Sequence, residues 1–95
     1  MTNEEMQEYV ISSIRRIRKT KKMSQLDLSV HANMSQSFLA NIETGKKEPS
    51  VMTIIRIAKA MDVNPREFFP ESTNELDINV KSEIKSEIMD LLKKL

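Results

Sequence analysis

The sequence is short of the residues that most kinds of site chemistry need. It has no cysteine, one histidine (His31), one glycine (Gly45) and three prolines. The absence of cysteine excludes disulfides, thiolate metal sites and cysteine nucleophiles, and it favours a reducing compartment such as the cytoplasm. A single histidine argues against a zinc site or a histidine-based catalytic centre. So few glycines and prolines leave few tight turns, which argues against a strand-rich fold.

Long apolar runs are also missing, and no segment has the pattern of a signal peptide, so we expect neither a membrane span nor secretion. The 95 residues are 39% hydrophobic and 31% charged, which fits one small soluble domain with a single core. The net charge of +1 is unevenly distributed, because six of the eight residues from Arg15 to Lys22 are cationic. Such a block indicates a polyanionic partner, although a solvated helix end explains it equally well on charge alone.

Hydrophobic spacing predicts helices throughout residues 1–70. Five helices are expected, each starting at a residue that caps helix N-termini well: Thr2, Ser24, Ser35, Ser50 and Asn64. Asn33 and Gly45 tolerate the left-handed backbone that tight turns between helices need. Phe68 and Phe69 are expected to close the core. The sequence therefore predicts an all-α domain over residues 1–70.

Residues 71–95 form a second segment, a polar and acidic linker followed by a C-terminal amphipathic helix. Its apolar residues recur at helical spacing and form a seam of the coiled-coil type: Ile84, Ile88, Leu91, Leu92 and Leu95. Alternation at Leu76, Ile78 and Val80 adds a weak strand signal before it. A helix of this length needs a partner in water, either its own domain or a second copy. We favour the second copy, because the linker separates the segment from a core that is already closed.

The most informative stretch is QLDLSVHANMSQSFLANIETGKKEP, residues 25–49: a short helix, a turn, a second short helix, then one glycine and two lysines. Residues before, within and after this stretch form one pattern: Arg18, Ser24-Gln25, Leu28, Ser35-Gln36-Ser37, Ile42-Glu43, Gly45-Lys46, Pro49-Ser50 and residues 58–63. This pattern resembles the helix-turn-helix of the Cro/phage-repressor-like (XRE) regulators, and the match runs from about Ile14 to Phe69. Ser29 and Asn33 depart from the alanine and glycine that are usual in the family. Both are small or compatible with a turn, so they bear on stability rather than on the fold.

The third helix carries the predicted contacts to bases. When Leu39 and Ile42 face the core, the rotation of 100° per residue turns four other residues outward: Ser37, Ala40, Asn41 and Thr44. Glutamine and asparagine donate and accept at once, which matches the N6/N7 edge of adenine in the major groove. The resemblance implies that four residues contact base edges: Gln36, Ser37, Ala40 and Asn41. The alternative for the same residues is an ordinary polar surface.

Two further groups of residues have predicted roles. Contacts to DNA phosphates are expected from residues at helix ends and in the loop after the third helix: Gln25, Thr44, Lys46, Lys47 and Ser50. Glu43 points partly inward, where an unpaired charge would be very costly. The resemblance implies that Arg18 is its partner, in a structural ion pair.

The sequence contains no glycine-rich phosphate loop, Ser/His/Asp set or paired-carboxylate cleft, so we expect neither an enzyme nor a cofactor. Together the pattern predicts a sequence-specific DNA-binding transcription regulator, a repressor that binds a palindromic operator in double-stranded DNA as a homodimer. The protein, bacterial or encoded by a phage, would act in the cytoplasm and be associated with the nucleoid when bound. The alternative is an antitoxin-type or antagonist-controlled regulator whose C-terminal segment binds another protein. A third class, a pure protein-interaction module, would need large apolar residues on the exposed face of the third helix.

Overall fold

The computed structural model describes residues 1–71. They form four α-helices, α1 (Asn3–Thr20), α2 (Gln25–His31), α3 (Gln36–Glu43) and α4 (Val51–Met61), followed by a 3₁₀ helix over Pro65–Phe68. Within these 71 residues there is no strand, and no helix is long and apolar enough to cross a membrane. The C-terminal helix and the weak strand predicted between residues 76 and 95 lie outside the described part of the chain.

All four α-helices start at the residues that the sequence predicts as caps. Thr2 accepts a hydrogen bond from the Glu5 N–H (3.1 Å), and Ser24 accepts one from the Asp27 N–H (2.9 Å). Ser35 and Ser50 cap α3 and α4 in the same way. The Ser24 N–H donates in return to the Asp27 carboxylate, which holds the pKa of Asp27 below its usual value. Each cap satisfies a backbone N–H that has no partner inside its helix.

The fifth predicted α-helix is instead a single 3₁₀ turn. The Asn64 side-chain oxygen accepts from the Arg66 N–H, two residues on (3.0 Å), and the Asn64 backbone carbonyl accepts from the Glu67 N–H, three residues on (2.9 Å). Phe69 then leaves the turn in an extended conformation. Neighbouring residues therefore face opposite ways: Phe68 is fully buried, whereas Phe69 is 42% exposed. Only one of the two phenylalanines expected to close the core does so.

The core is a single cluster to which every helix contributes. Its members are aliphatic except for one methionine and one phenylalanine: Val10, Ile14, Ile17, Leu28, Leu39, Ile42, Ile57, Ala58, Met61 and Phe68. Leu39 and Ile42 are fully buried, so the orientation predicted for α3 is the one observed. The turn from α2 to α3 passes through Asn33 with a positive φ of 55°, and the turn after α3 passes through Gly45 with a φ of 81°. These are the two positions that the sequence assigns to left-handed backbone.

A charged pair lies at the edge of this core and joins α1 to α3. The Arg18 guanidinium donates from Nε to Glu43 Oε2 and from Nη2 to Glu43 Oε1, both at 2.9 Å. Its Nη1 donates to the Met23 carbonyl (2.9 Å), just before α2 begins. Glu43 is only 3% exposed and the Arg18 side chain 12%. This is the partner that the resemblance implies for Glu43.

We expect Glu43→Ala to lower the free energy of unfolding by about 3–5 kcal/mol, because it leaves the Arg18 guanidinium buried without its counter-charge. For a domain of this size the midpoint of thermal unfolding should fall by roughly 12 °C or more. Glu67→Ala removes an exposed carboxylate and serves as the control. Equal midpoints for the two variants would show that the buried pair contributes nothing to stability.

Candidate nucleic-acid interface

The helix-turn-helix unit is built from α2, the four-residue connection over residues 32–35 and α3. The Met34 N–H donates to the Ser29 carbonyl (2.9 Å), which ties the turn back to α2. Ser29, where the family usually has alanine, is buried, and its hydroxyl donates to the Leu26 carbonyl (2.7 Å). The departure therefore leaves no unpaired polar group in the core. With Leu28 and Leu39 packed in the same cluster, α3 has a fixed orientation on the domain.

The four residues predicted to contact bases share one face of α3. Gln36, Ser37 and Asn41 are exposed and Ala40 is half-buried beside them, opposite the fully buried Leu39 and Ile42. The side chains of Gln36, Ser37 and Asn41 form no hydrogen bond with any residue of the 1–71 region. Their donors and acceptors are therefore available to a ligand. The helix is eight residues long, so this face measures about 12 Å from end to end.

The residues predicted to contact phosphates divide into two groups. Lys46 and Lys47 are exposed and directly follow α3. The other three side chains already have partners within the domain. The Thr44 hydroxyl donates to the Ala40 carbonyl (3.0 Å), and the Gln25 side-chain amide lies 3.5 Å from Glu43 Oε1.

Ser50, the third of these, accepts from the Thr53 N–H (3.1 Å), and its Oγ lies 2.9 Å from Thr53 Oγ1. Its hydroxyl therefore acts as a helix cap. Of the five residues predicted to contact phosphates, Lys46 and Lys47 are the two whose side chains form no hydrogen bond or ion pair within residues 1–71.

Two arginines that sequence analysis missed hold the ends of α2 and α3. Arg15 donates from Nη1 to the carbonyl of Glu43, at the last turn of α3. Arg56, on α4, donates to the Ala32 carbonyl from Nε (3.1 Å) and Nη2 (2.8 Å), and also to the Asn33 carbonyl. A cation at the C-terminal end of a helix offsets the partial negative charge of its free carbonyls. Nothing in the sequence distinguishes Arg56 from Lys59, the other cation of α4, as the residue that makes this contact.

The cationic block from Arg15 to Lys22 is therefore mixed in its roles. Arg15 and Arg18 turn inward, whereas the other four cations are exposed: Arg16, Lys19, Lys21 and Lys22. His31 is exposed as well, with Nδ1 2.8 Å from the Asp27 carbonyl oxygen, at the last turn of α2. In residues 1–71 no three histidine, aspartate or glutamate side chains come together as a metal site would require.

Known proteins share this architecture. The model of the helix-turn-helix family matches residues 14–68. An uncharacterised HTH-type transcriptional regulator of Sinorhizobium fredii is 32% identical over 74 residues, covering 74% of this chain and 38% of the relative. The immunity repressor protein of Bacillus phage phi105 is 37% identical over 60 residues, covering 63% of this chain and 42% of the relative. The chain thus spans about two fifths of the length of these two relatives.

Among solved structures, the restriction-modification controller protein C.AhdI from Aeromonas hydrophila superposes with a TM-score of 0.64 at 28% identity. The similarity covers 66% of this chain and 96% of C.AhdI. The family match extends over more than half of the sequence and includes both helices of the motif, all of the core cluster except Val10, and the Arg18–Glu43 pair. The chain therefore belongs to the helix-turn-helix family of transcription regulators, of the XRE or phage-repressor type.

Proposed function

We propose that this chain is a sequence-specific transcription repressor that binds a palindromic operator in double-stranded DNA as a homodimer. The observation that carries the proposal is the exposed face of α3, whose glutamine, serine and asparagine side chains have no partner within residues 1–71. An ordinary solvated helix of this length usually pairs lysines with glutamates, and α3 has no such pair on that face. Short uncharged polar groups around one alanine suit a surface that must approach another molecule closely.

The direct contacts follow from the chemistry of these side chains. The major groove is about 12 Å wide and accepts an α-helix. Gln36 and Asn41 each offer one donor and one acceptor, the pair needed for the N6 and N7 atoms of adenine. Ser37 suits either a donor or an acceptor, and the Ala40 methyl suits the methyl group of thymine.

The contacts to the DNA backbone would set position and supply affinity. Lys46 and Lys47 bring two charges to the end of α3, where they would neutralise phosphates on one side of the groove. Gln25, Thr44 and Ser50 would add weaker contacts, because their side chains already have partners in the domain. The repressor name of the phi105 relative and the controller name of C.AhdI support a role in the control of transcription.

Dimerisation is part of the proposal because one α3 reaches only a few base pairs. Two copies joined through the seam from Ile84 to Leu95 would raise the effective concentration of the second α3 at its half-site. The half-sites should lie about one helical turn, or ~34 Å, apart. Occupancy of such a site would exclude polymerase from an overlapping promoter.

Selection from a pool of random duplex DNA tests the proposal directly. The full chain should enrich an inverted repeat whose two halves have the same sequence and are about one helical turn apart. Enrichment of a single half-site would support sequence-specific DNA binding and contradict binding as a dimer. A pool that stays random after repeated rounds would contradict the function itself.

Binding to the selected operator should weaken steeply as salt rises between about 50 and 200 mM, because released counterions drive phosphate contacts. Lys46→Ala should weaken binding to all sequences alike and make the dependence on salt shallower by about one unit of slope. Lys59→Ala removes the same charge from an exposed position on α4 and controls for net charge. An affinity that is indifferent to salt would exclude the phosphate contacts.

Gln36→Ala and Asn41→Ala should each cost roughly 1–3 kcal/mol on the selected operator and relax the preference at particular base pairs. Both side chains are exposed, so the melting temperature should stay close to that of the unmodified chain. Affinity for operator and for random duplex is compared for each variant. Equal losses of affinity on the two DNAs would mean that these residues contact the phosphate backbone rather than the bases.

Truncation after Glu75 should give a folded monomer that binds the palindrome poorly, because the cut removes no member of the core cluster of residues 1–71. Sedimentation velocity measures the oligomeric state, and Ile88→Asp in the full chain provides a variant of unchanged length. If the truncated chain still dimerises and binds the operator with full affinity, residues 76–95 do not form the dimer. That result would favour the antagonist-controlled alternative, in which this segment binds another protein.

A further inference from the structure

Phe38 and Lys47 form a contact that joins α3 to the loop after it. The Lys47 Nζ lies 4.5 Å from the centre of the Phe38 ring. This is within the ~6 Å over which the negative face of an aromatic ring attracts a cation. The ring is partly buried and packs against the core cluster, so its position is set by the fold. Lys47 itself is exposed.

The backbone of Lys47 is fixed as well. Gly45, with its φ of 81°, turns the chain back after α3. The Lys47 N–H then donates to the Asn41 carbonyl (3.0 Å), inside the last turn of α3. Lys47 is thus anchored at both ends, its main chain on Asn41 and its ammonium on Phe38. A free lysine side chain would instead sample many rotamers, and binding would have to order it.

The anchored charge lies next to the proposed contact surface. Phe38 and Asn41 are three residues apart on α3, a spacing that makes them neighbours on the helix surface. Lys46, the preceding residue, is equally exposed but has no aromatic, hydrogen-bonding or ionic partner within residues 1–71. The two adjacent lysines therefore differ in one respect, namely whether the charge is held in place.

We infer that Phe38 is a positioning residue for DNA binding, which holds the Lys47 ammonium where it meets a phosphate beside the bases contacted by Asn41. The inference rests on the proposed function, since it needs DNA at the exposed face of α3. Phe38 makes no contact with DNA in this account. It acts through Lys47, by lowering the conformational entropy that the lysine loses on binding.

A double-mutant cycle on operator affinity tests the coupling. Phe38→Leu, which keeps an apolar side chain, should weaken binding about two- to tenfold, the cost of ordering one long side chain on binding. Phe38→Tyr keeps the ring face and should bind like the unmodified chain. In the Lys47→Ala background Phe38→Leu should have no further effect, whereas with Lys46→Ala the two losses should multiply. Multiplied losses with Lys47→Ala as well would overturn the inference.

The dependence of affinity on salt separates positioning from charge. Lys47→Ala should reduce the salt slope by about one phosphate contact. Phe38→Leu should lower affinity with the slope unchanged, because the lysine still reaches its phosphate. A slope changed as much by Phe38→Leu as by Lys47→Ala would overturn the inference, since the ring would then be required for the contact itself.

Two measurements on the free protein guard against a purely structural effect. The methylene protons of Lys47 next to the ammonium should show an upfield ring-current shift in NMR spectra, which Phe38→Leu abolishes. The melting temperatures of Phe38→Leu and of Phe38→Leu with Lys47→Ala should agree. Absence of the ring-current shift overturns the inference without reference to DNA. A full chain that selects no DNA sequence overturns the proposed function, and this inference with it.

Discussion

The carboxylate of Glu43 is the point at which three parts of the domain meet. Both of its oxygens accept from Arg18 at the end of α1, and one also lies within 3.5 Å of the Gln25 amide at the start of α2. Arg18 in turn holds the Met23 carbonyl in the connection between these helices. Because a buried charge is tolerated only when its partners are in place, a shift of any one element would leave an unpaired ion. The pair therefore fixes α3 relative to α1 and α2 as well as contributing to stability.

The basic residues of this chain divide by their chemistry. Arg15, Arg18 and Arg56 donate to backbone carbonyls, two of them at the C-terminal ends of α3 and α2, and the Arg18 side chain is largely buried as well. The planar arginine fork can bond several acceptors at once, whereas a lysine offers a compact and strongly hydrated charge. Lysines remain at the surface, where Lys46 and Lys47 border α3. A count of positive charge in the sequence thus overstates the charge available to a polyanion.

The sequence predicts the parts of this fold that depend on local chemistry. The caps at Thr2, Ser24, Ser35 and Ser50 act over three residues, and the buried face of α3 follows from helical periodicity alone. The fifth helix was predicted wrongly because a cap and a proline at its start are compatible with either an α-helix or a 3₁₀ turn.

The contacts of these arginines could not be predicted from local sequence patterns, for a different reason. Arg15 and Arg56 bond backbone carbonyls 28 and 24 residues away. Every residue has a backbone carbonyl, so the sequence does not indicate which one an arginine contacts. The Gln25 amide was also beyond local reasoning, because its partner, the Glu43 carboxylate, lies 18 residues on. The positions of these helix ends therefore depend on long-range contacts that periodicity does not indicate. Among them, only the Arg18–Glu43 pair had a signal, because an inward carboxylate requires a cation.

The roles of consecutive residues in α3 change with each step of 100° around the helix. Asn41 faces solvent, Ile42 is buried in the core and Glu43 is buried in the ion pair. A rotation of α3 by one residue would expose the carboxylate and turn Asn41 into the core without a partner, and both changes are costly. An apolar core alone resists such a rotation less strongly, since hydrophobic contacts are not directional. The ion pair thus sets the rotation of α3 as well as its place, and with it the choice of side chains that the helix presents to a ligand.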